Sequence, residues 1–98
     1  EGWIVGGDGV ILHTTNGGAN WEYQDSGSIS FLWRVLFKNK KEGWTVGSEG
    51  TILSTKDGGR TWIKQESGTD QWLYDITLAD EKTLYAVGLY GVILKSML

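Results

Sequence analysis

The sequence predicts an all-β fold made of β-propeller blades, which are four-stranded antiparallel sheets, with a 41-residue repeat. The first observation is an internal repeat: residues 2–27 align with residues 43–68, and residues 84–96 align with the start of both segments. The second is a series of short strand-like runs with turn signals roughly every 8 to 12 residues and no long helical period. The third is the presence of 15 glycines, six tryptophans and no proline in 98 residues, a composition that suits tight turns between strands.

The second unit shows the predicted strands of a blade in order. The first is LWRVLF at 32–37, where side chains alternate between two faces. The second is GWTVG at 43–47, and the third is TILST at 51–55, after the turn SEG. The fourth is TWIKQ at 61–65, after the turn KDGG. Four strands in a unit of about 40 residues are typical of a propeller blade.

The whole chain, 1–98, is predicted to form a single partial β-propeller with repeat units at 1–27, 28–68 and 69–98. Its strands are expected to run three, four, three, which makes about two and a half blades. The first unit lacks its first strand and the last unit lacks its fourth. Because a closed ring needs about four to eight blades, we expect either a part of a longer propeller or a homo-oligomer. Two chains would supply six blades.

Charge and composition exclude several function classes. The net charge of −3 argues against a nucleic-acid-binding protein, which would carry a basic stripe. The chain has no cysteine, and its single histidine, His13, has a serine at the equivalent position of the second unit, so no metal or cofactor is expected. No apolar run approaches the length of about 18 residues that a membrane span requires.

The segment TKDGGRTW at 55–62 joins the third strand of its unit to the fourth. Asp57 is expected to accept hydrogen bonds from backbone N–H groups of the turn, and the paired glycines allow positive φ angles. The first unit carries TTNGGANW at 14–21, with Asn16 in place of the aspartate. The predicted structural turn residues are Thr14, Asn16, Gly17, Gly18, Trp21, Thr55, Asp57, Gly58, Gly59, Thr61 and Trp62.

These turns resemble the Asp-box, or bacterial neuraminidase repeat, of pattern Ser/Thr-x-Asp-Gly-Gly-x-Thr-Trp. The resemblance implies a structural hairpin at the periphery of a blade, away from any active site. The longer pattern of residues 43–68 is similar to the repeat of the photosystem II assembly and stability factor family. That resemblance implies a seven-bladed, non-enzymatic assembly factor that engages a newly made reaction-centre subunit. It also favours an extracytoplasmic location, namely the periplasm, the thylakoid lumen or the cell surface.

Two charged residues occupy equivalent positions on the first strands of neighbouring units, Arg34 in the second and Asp75 in the third. The first strand of such a blade lines the central channel, so we expect Arg34 and Asp75 to approach each other or a partner there. Tyr90 stands in a turn where the other units carry Asp8 and Glu49. We expect Tyr90 to be exposed and available for a partner contact.

Strict alternation along the first strands predicts which side chains they bury. Arg34 is expected to share a face with Leu32 and Leu36, and Asp75 with Leu73 and Thr77. The opposite face is predicted to form the core between blades, with Trp33, Val35, Phe37, Tyr74, Ile76 and Leu78. If blades are missing, its aromatic residues are expected instead to form an exposed aromatic surface.

The leading functional hypothesis is a non-enzymatic scaffold that binds another protein. The first alternative is a structural, excised or designed propeller fragment that self-assembles into a ring. The second alternative is a part of a larger Asp-box glycosidase. Sialidases bind the carboxylate of their sugar with three arginines, and this chain has only Arg34 and Arg60. The glycosidase alternative therefore has the least support.

Overall fold

The computed structural model describes residues 2–97 as three antiparallel sheets. The first sheet contains β1 (Gly2–Val5), β2 (Ile11–Thr14) and β3 (Glu22–Gln24). The second contains β4 (Leu32–Phe37), β5 (Gly43–Gly47), β6 (Ile52–Thr55) and β7 (Ile63–Gln65). The third contains β8 (Leu73–Leu78), β9 (Thr83–Gly88) and β10 (Ile93–Met97). The predicted order of three, four and three strands is confirmed.

Two strands of the second sheet start later than the sequence predicts. β6 begins at Ile52 because the N–H of Thr51 donates to the carbonyl of Ser48 at 3.1 Å and closes the preceding turn. β7 begins at Ile63 because Asp57 holds Thr61 within the turn that precedes this strand. In both places, a local hydrogen bond keeps in the turn a residue that the alternating pattern assigns to the strand.

Each sheet is a simple meander in which strands adjacent in sequence pair with each other. The first strand of the second sheet, β4, therefore lies at one edge and β7 lies at the other. The sheets pack face to face through two apolar clusters. One joins the first and second sheets through Ile11, Leu32, Leu53 and Trp62, and the other joins the second and third sheets through Trp44, Val46, Leu73, Ile76, Leu84 and Ala86.

A β-bulge interrupts the first strand of the second sheet and that of the third. The register shifts between Leu32 and Arg34 on β4, and between Leu73 and Asp75 on β8. A bulge places two successive residues opposite one residue of the partner strand, so the side chains beyond it change face. This explains why Leu73 and Ile76, which alternation assigns to opposite faces, belong to the same core cluster.

The bulges make part of the core prediction wrong. Val35, Phe37, Ile76 and Leu78 pack between the sheets as predicted. Trp33 and Tyr74, which were expected to accompany them, are instead 41% and 42% exposed. The bulges place both rings on the surface.

Short turns join the second and third strands of each unit, at Gly7–Gly9, Ser48–Gly50 and Leu89–Gly91. The middle residue of each turn has a left-handed backbone, with φ of 57° at Asp8 and 58° at both Glu49 and Tyr90. All three side chains are exposed. The second and third turns also contact the residue that precedes the first strand of their own unit, since Ser48 N–H donates to the carbonyl of Phe31 and Leu89 N–H to that of Trp72.

Candidate partner-binding surface

The turn between β6 and β7 is held by a compact set of hydrogen bonds around Asp57. Its Oδ1 accepts from the hydroxyl of Thr55 at 2.8 Å and from the backbone N–H of Thr61 at 2.9 Å. Its Oδ2 accepts from the hydroxyl of Thr61 at 2.6 Å. The hydroxyl of Thr55 also accepts from the N–H of Gly59 at 2.9 Å. These bonds cross the loop from its first residue to its last, as expected for a turn that holds two strands together.

The equivalent turn between β2 and β3 repeats this arrangement with amides. Asn16 Oδ1 accepts from the hydroxyl of Thr14 and from the N–H of Asn20, both at 2.9 Å. Asn16 Nδ2 donates to Asn20 Oδ1 at 3.0 Å. The N–H of Gly18 donates to the hydroxyl of Thr14 at 3.1 Å. An uncharged side chain at position 16 therefore makes the same cross-loop contacts as the carboxylate at position 57.

The hydrogen bonds around Asp57 lower the pKa of its carboxyl from 3.8 to about 2. The largest cause is the bond from the Thr61 hydroxyl, followed by the bond from the Thr61 backbone N–H and the bond from Thr55. Donors that point at a carboxylate stabilise its charged form. The low pKa of Asp57 is therefore a consequence of the turn geometry and gives no indication of catalysis.

The glycine pairs of both turns adopt the predicted positive φ angles. They are 72° and 91° at Gly17 and Gly18, and 73° and 93° at Gly58 and Gly59. Gly59 also lies directly against the indole of Trp3 in the first sheet, where a Cβ atom would overlap the ring. The turn between β6 and β7 thus contacts the neighbouring sheet as well as joining its own strands.

The tryptophans that follow the two turns lie in different environments. Trp62 is 9% exposed and packs edge-on against Trp3 and Phe37, with ring centroids 6.1 Å and 6.0 Å apart. Its Nε1 is buried with no hydrogen-bond partner among the described residues. Trp21, at the equivalent position of the first unit, is 41% exposed. Each turn lies beside the last strand of its sheet, which is β3 in the first sheet and β7 in the second. The structural role of both turns remains a prediction.

Four exposed aromatic rings form a patch where the first strands of the second and third units begin. The patch consists of Phe31, Trp33, Trp72 and Tyr74, each about 40% exposed. The centroid of Trp33 lies 4.6 Å from that of Phe31, 6.0 Å from that of Trp72 and 5.7 Å from that of Tyr74. Trp33 is thus the centre of a continuous surface across two sheets, which we call the aromatic patch.

The two charged residues predicted near the channel directly follow Trp33 and Tyr74 in the sequence and contact each other. Arg34 Nε donates to Asp75 Oδ1 at 2.9 Å, and the side chains are 60% and 49% exposed. The hydrogen bond from Arg34 is the main cause that lowers the pKa of the Asp75 carboxyl. The pair links β4 to β8. Whether it also contacts a partner remains a prediction.

The turn tips extend the same end of the molecule. A Cβ atom placed on Gly7 would lie 3.5 Å from the ring carbons of Phe31, which is van der Waals contact. Asp8 is the next residue along the chain. Glu49 directly follows Ser48, whose N–H donates to the carbonyl of Phe31. Tyr90 directly follows Leu89, whose N–H donates to the carbonyl of Trp72. Tyr90 is 88% exposed, as expected. Its role as a partner contact remains a prediction.

The sequence predicts core positions for Trp33 and Tyr74, with an exposed aromatic surface only as the alternative, and it does not locate the patch. The available signal was that two aromatic residues recur at the start of the first strand in both units, as Phe31 and Trp33 and again as Trp72 and Tyr74. The alternating pattern assigned Trp33 and Tyr74 to the core because nothing in the residue types reveals the bulges beside them.

Within residues 2–97, no group of three or more His, Cys, Asp or Glu side chains is arranged to hold a metal ion. His13 stacks on Trp3 with ring centroids 4.0 Å apart. None of the described helical segments is long and apolar enough to cross a membrane.

Comparison with known proteins matches the chain to one family model and to several solved structures. Residues 24–97 match the family model described as photosynthesis system II assembly factor YCF48. A solved structure described as YCF48 bound to D1 peptide superposes on 98% of this chain with a TM-score of 0.86 and 20% identity. YCF48 from Cyanidioschyzon merolae superposes on 97% with a TM-score of 0.81 and 21% identity. The curated proteins contain no significant match.

Both structural matches confirm the fold of the chain as a partial β-propeller. This chain spans about a third of the length of each solved relative, at 33% in both cases. At identities of 20% and 21%, the similarity supports the arrangement of the sheets and leaves individual contact residues to be argued from this structure.

Proposed function

The chain belongs to the family of the photosynthesis system II assembly factor YCF48, and we propose that it acts as a non-enzymatic protein-binding scaffold through its aromatic patch. The supporting observation is the set of four exposed rings centred on Trp33, at the start of the two strands that carry the Arg34–Asp75 pair. Contiguous exposed apolar surface on a soluble domain marks an interaction site. Tryptophan, tyrosine and arginine are also the residues that most often contribute strongly to protein interfaces.

The proposed partner is a peptide segment of the D1 type, because a solved relative is described as bound to a D1 peptide. Apolar side chains of the peptide would pack on Trp33 and Tyr74. The Arg34–Asp75 pair would offer one donor and one acceptor group at the edge of the contact. Since both charged side chains are about half exposed, a peptide can reach them without opening the core.

A titration of the chain with a D1 peptide tests this proposal. We expect Trp33→Ala and Tyr74→Ala to weaken binding by about tenfold or more, since truncating a central aromatic residue often costs over 1.4 kcal/mol. Tyr23→Ala is the matched control, because Tyr23 is 61% exposed on β3, outside the patch. Calorimetry would measure the affinities. Failure of the unmodified chain to bind, or equal affinities for all three variants, would contradict the proposal.

Non-enzymatic action finds support in the positions of the two arginines. Arg34 lies on β4 and forms an ion pair with Asp75, whereas Arg60 lies in the turn before β7, at the opposite edge of the sheet. The two guanidinium groups therefore do not converge on one substrate carboxylate. The proposed scaffold performs no covalent step.

Self-association is a second candidate function, favoured by exposed apolar residues on the outward faces of the first and third sheets. Val87 and Ile93 of the third sheet are 41% and 69% exposed, although Val46, the equivalent of Val87, is fully buried. On the first sheet, Ile4 and Tyr23 are 47% and 61% exposed. Copies of the chain packed head to tail would cover these faces and form a ring.

Light scattering coupled to size exclusion, across a range of protein concentrations, tests this second candidate. A discrete mass that is a multiple of 10.9 kDa, and that Val87→Glu reduces to the single-chain value, is the expected result. A single-chain mass at all concentrations would contradict self-association and leave the peptide-binding proposal unaffected.

A further inference from the structure

We propose that the cleft between the second and third sheets binds an extended segment with a tryptophan of the Asp-Gly-Gly-x-Thr-Trp type. The cleft has a volume of about 480 Å³ and an apolar wall that includes Trp44, Ile52, Ile76 and Leu94. It lies on the β6–β10 side of the sheets, away from the aromatic patch. This proposal does not depend on the binding of a D1 peptide at the aromatic patch.

The internal repeat identifies the kind of side chain that fits this cleft. In the equivalent gap between the first and second sheets, Trp62 packs edge-on against Trp3 and Phe37. It belongs to one apolar cluster with seven other residues: Trp3, Val5, Ile11, Leu32, Val35, Phe37 and Leu53. A shift of 41 residues converts these seven into Trp44, Val46, Ile52, Leu73, Ile76, Leu78 and Leu94. Four of the seven, namely Trp44, Ile52, Ile76 and Leu94, line the cleft. The cleft thus repeats part of the apolar environment of Trp62 one sheet further along.

The differences between the two gaps preserve their apolar character. Phe37 lies over Gly43 so closely that a Cβ atom at Gly43 would contact the phenyl ring. The third unit carries Leu78 and Leu84 at these two positions. The large residue and the glycine are thus replaced by two residues of intermediate size, and Leu84, which lines the cleft, is 6% exposed.

The edge of the third sheet provides the backbone part of the site. β10 pairs with β9 on one side, and no strand within residues 2–97 pairs with its other side. Its equivalent in the second sheet, β6, pairs with β7, the strand that directly follows Trp62. An extended segment added to an exposed sheet edge gains main-chain hydrogen bonds, and side-chain pockets then provide specificity.

A polar contact at the end of β10 suits the Gly-Gly part of the segment. In the second unit, the Thr55 hydroxyl accepts a hydrogen bond from the N–H of Gly59. Ser96 occupies the position equivalent to Thr55 and lines the cleft. Its hydroxyl would accept the corresponding N–H of the incoming turn. The ligand is therefore defined by three features: an Asp-Gly-Gly turn, an indole and a short strand.

A dye-labelled peptide with the sequence of residues 57–65, DGGRTWIKQ, is the probe. Fluorescence anisotropy on addition of the 98-residue chain is expected to show saturable binding. The same peptide with alanine in place of its tryptophan is the matched control, and we expect its affinity to be at least about tenfold lower. Hydrogen exchange should slow in β10 when the peptide binds and should remain unchanged in β3.

Three results would overturn the proposal. The first is an absence of binding by DGGRTWIKQ at millimolar concentration. The second is equal affinity for the tryptophan and alanine peptides, because the cleft would then not recognise the indole. The third is protection from exchange at the aromatic patch with none in β10. A chain variant with Ser96→Ala, whose side chain is exposed, tests the polar contact without disturbing the core and should weaken binding.

Discussion

The exposed carboxylate of Asp57 makes the stability of its turn depend on pH. Its pKa is lowered from 3.8 to about 2 in the folded chain. Because the pKa is lower in the folded chain than in the unfolded chain, the charged carboxylate stabilises the fold at pH values above about 4. This contribution is lost as the pH falls from about 4 to about 2. The coupling arises from three hydrogen bonds to one side chain.

We therefore expect Asp57→Asn to make the unfolding midpoint in urea less sensitive to pH between 2 and 4. The amide keeps an acceptor for Thr55 and the Thr61 N–H but does not titrate, as Asn16 illustrates in the first unit. Urea titrations at a series of pH values would measure the effect. The control is Asn16→Asp, which should increase the acid sensitivity. Identical pH dependence of the unmodified chain and Asp57→Asn would show that the hydrogen bonds around Asp57 do not control its titration.

We expect substitutions of Trp21 and Trp62 to lower the free energy of unfolding by different amounts. Trp62→Ala removes a buried ring and should lower the free energy of unfolding by about 3–5 kcal/mol. Trp21→Ala should cost clearly less, because 41% of this residue is already exposed. Trp62→Phe should cost less than Trp62→Ala, since it keeps a ring and removes an indole N–H that lacks a partner.

Chemical denaturation monitored by far-ultraviolet circular dichroism would measure these three variants without relying on tryptophan emission. Equal losses for Trp21→Ala and Trp62→Ala would contradict the burial difference. The sequence predicts the hydrogen bonds of both turns because they connect residues at most four positions apart. It does not predict this difference in burial, which depends on the sheets that flank each tryptophan.

Among the turns, Gly50 and Gly91 form a natural matched pair. Both have left-handed backbones, with φ of 70° and 75°. An alanine at Gly50 would also overlap the carbonyl oxygen of Thr69, whereas a Cβ atom at Gly91 meets nothing within 4 Å. Gly91→Ala should therefore cost about 1–2 kcal/mol for the backbone conformation alone.

Gly50→Ala should cost distinctly more than Gly91→Ala, because the linker at Thr69 must shift as well. Thermal unfolding of the two variants beside the unmodified chain would compare them. A similar fall in melting temperature for both would mean that the linker moves away from Gly50 at little cost.

Strand-level prediction succeeds where alternation is unbroken and fails at the bulges. Trp44 and Val46, two residues apart on β5, belong to one core cluster as period-two alternation requires. On β8 the shift between Leu73 and Asp75 moves the pattern by one residue. Bulges depend on how two strands pair, and Trp33 and Tyr74 have residue types equally suited to a core or to a surface.

For the whole molecule, the central position of the second sheet predicts an order of protection. All five residues of β5 are buried, and the sheet packs on both neighbours through the two core clusters. Amide hydrogen exchange should therefore be slowest in β5, because opening there breaks both interfaces. The short edge strands β3 and β7, whose residues are mostly or entirely exposed, should exchange fastest among the strands.

Leu73→Ala extends this test to one interface. Leu73 is fully buried between the second and third sheets, so the substitution should cost about 2–5 kcal/mol. Exchange should accelerate more in β8, β9 and β10 than in β1, β2 and β3, since contacts in stacked repeats are mainly with neighbours. A uniform acceleration would indicate that the three sheets open as one cooperative unit.

The arrangement of the whole chain was the most predictable level of structure. Equivalent residues such as Val5, Val46 and Val87 repeat at one spacing, so one blade pattern fixes the order of all three sheets. The aromatic patch was less predictable because it forms between two units. Its rings come from separate strands and meet only after the sheets have packed.

The three turn tips have a practical consequence for studying this chain. Their φ angles agree within a degree and their ψ angles lie between 27° and 33°, although the side chains are those of aspartate, glutamate and tyrosine. The tip therefore accepts chemically unlike side chains without a change in the turn. Because the sequence has no cysteine, Glu49→Cys or Tyr90→Cys would supply a single exposed thiol for a fluorophore or cross-linker. Each attachment point lies within one residue of a backbone contact to the aromatic patch, so a dye there would report directly on an approaching partner.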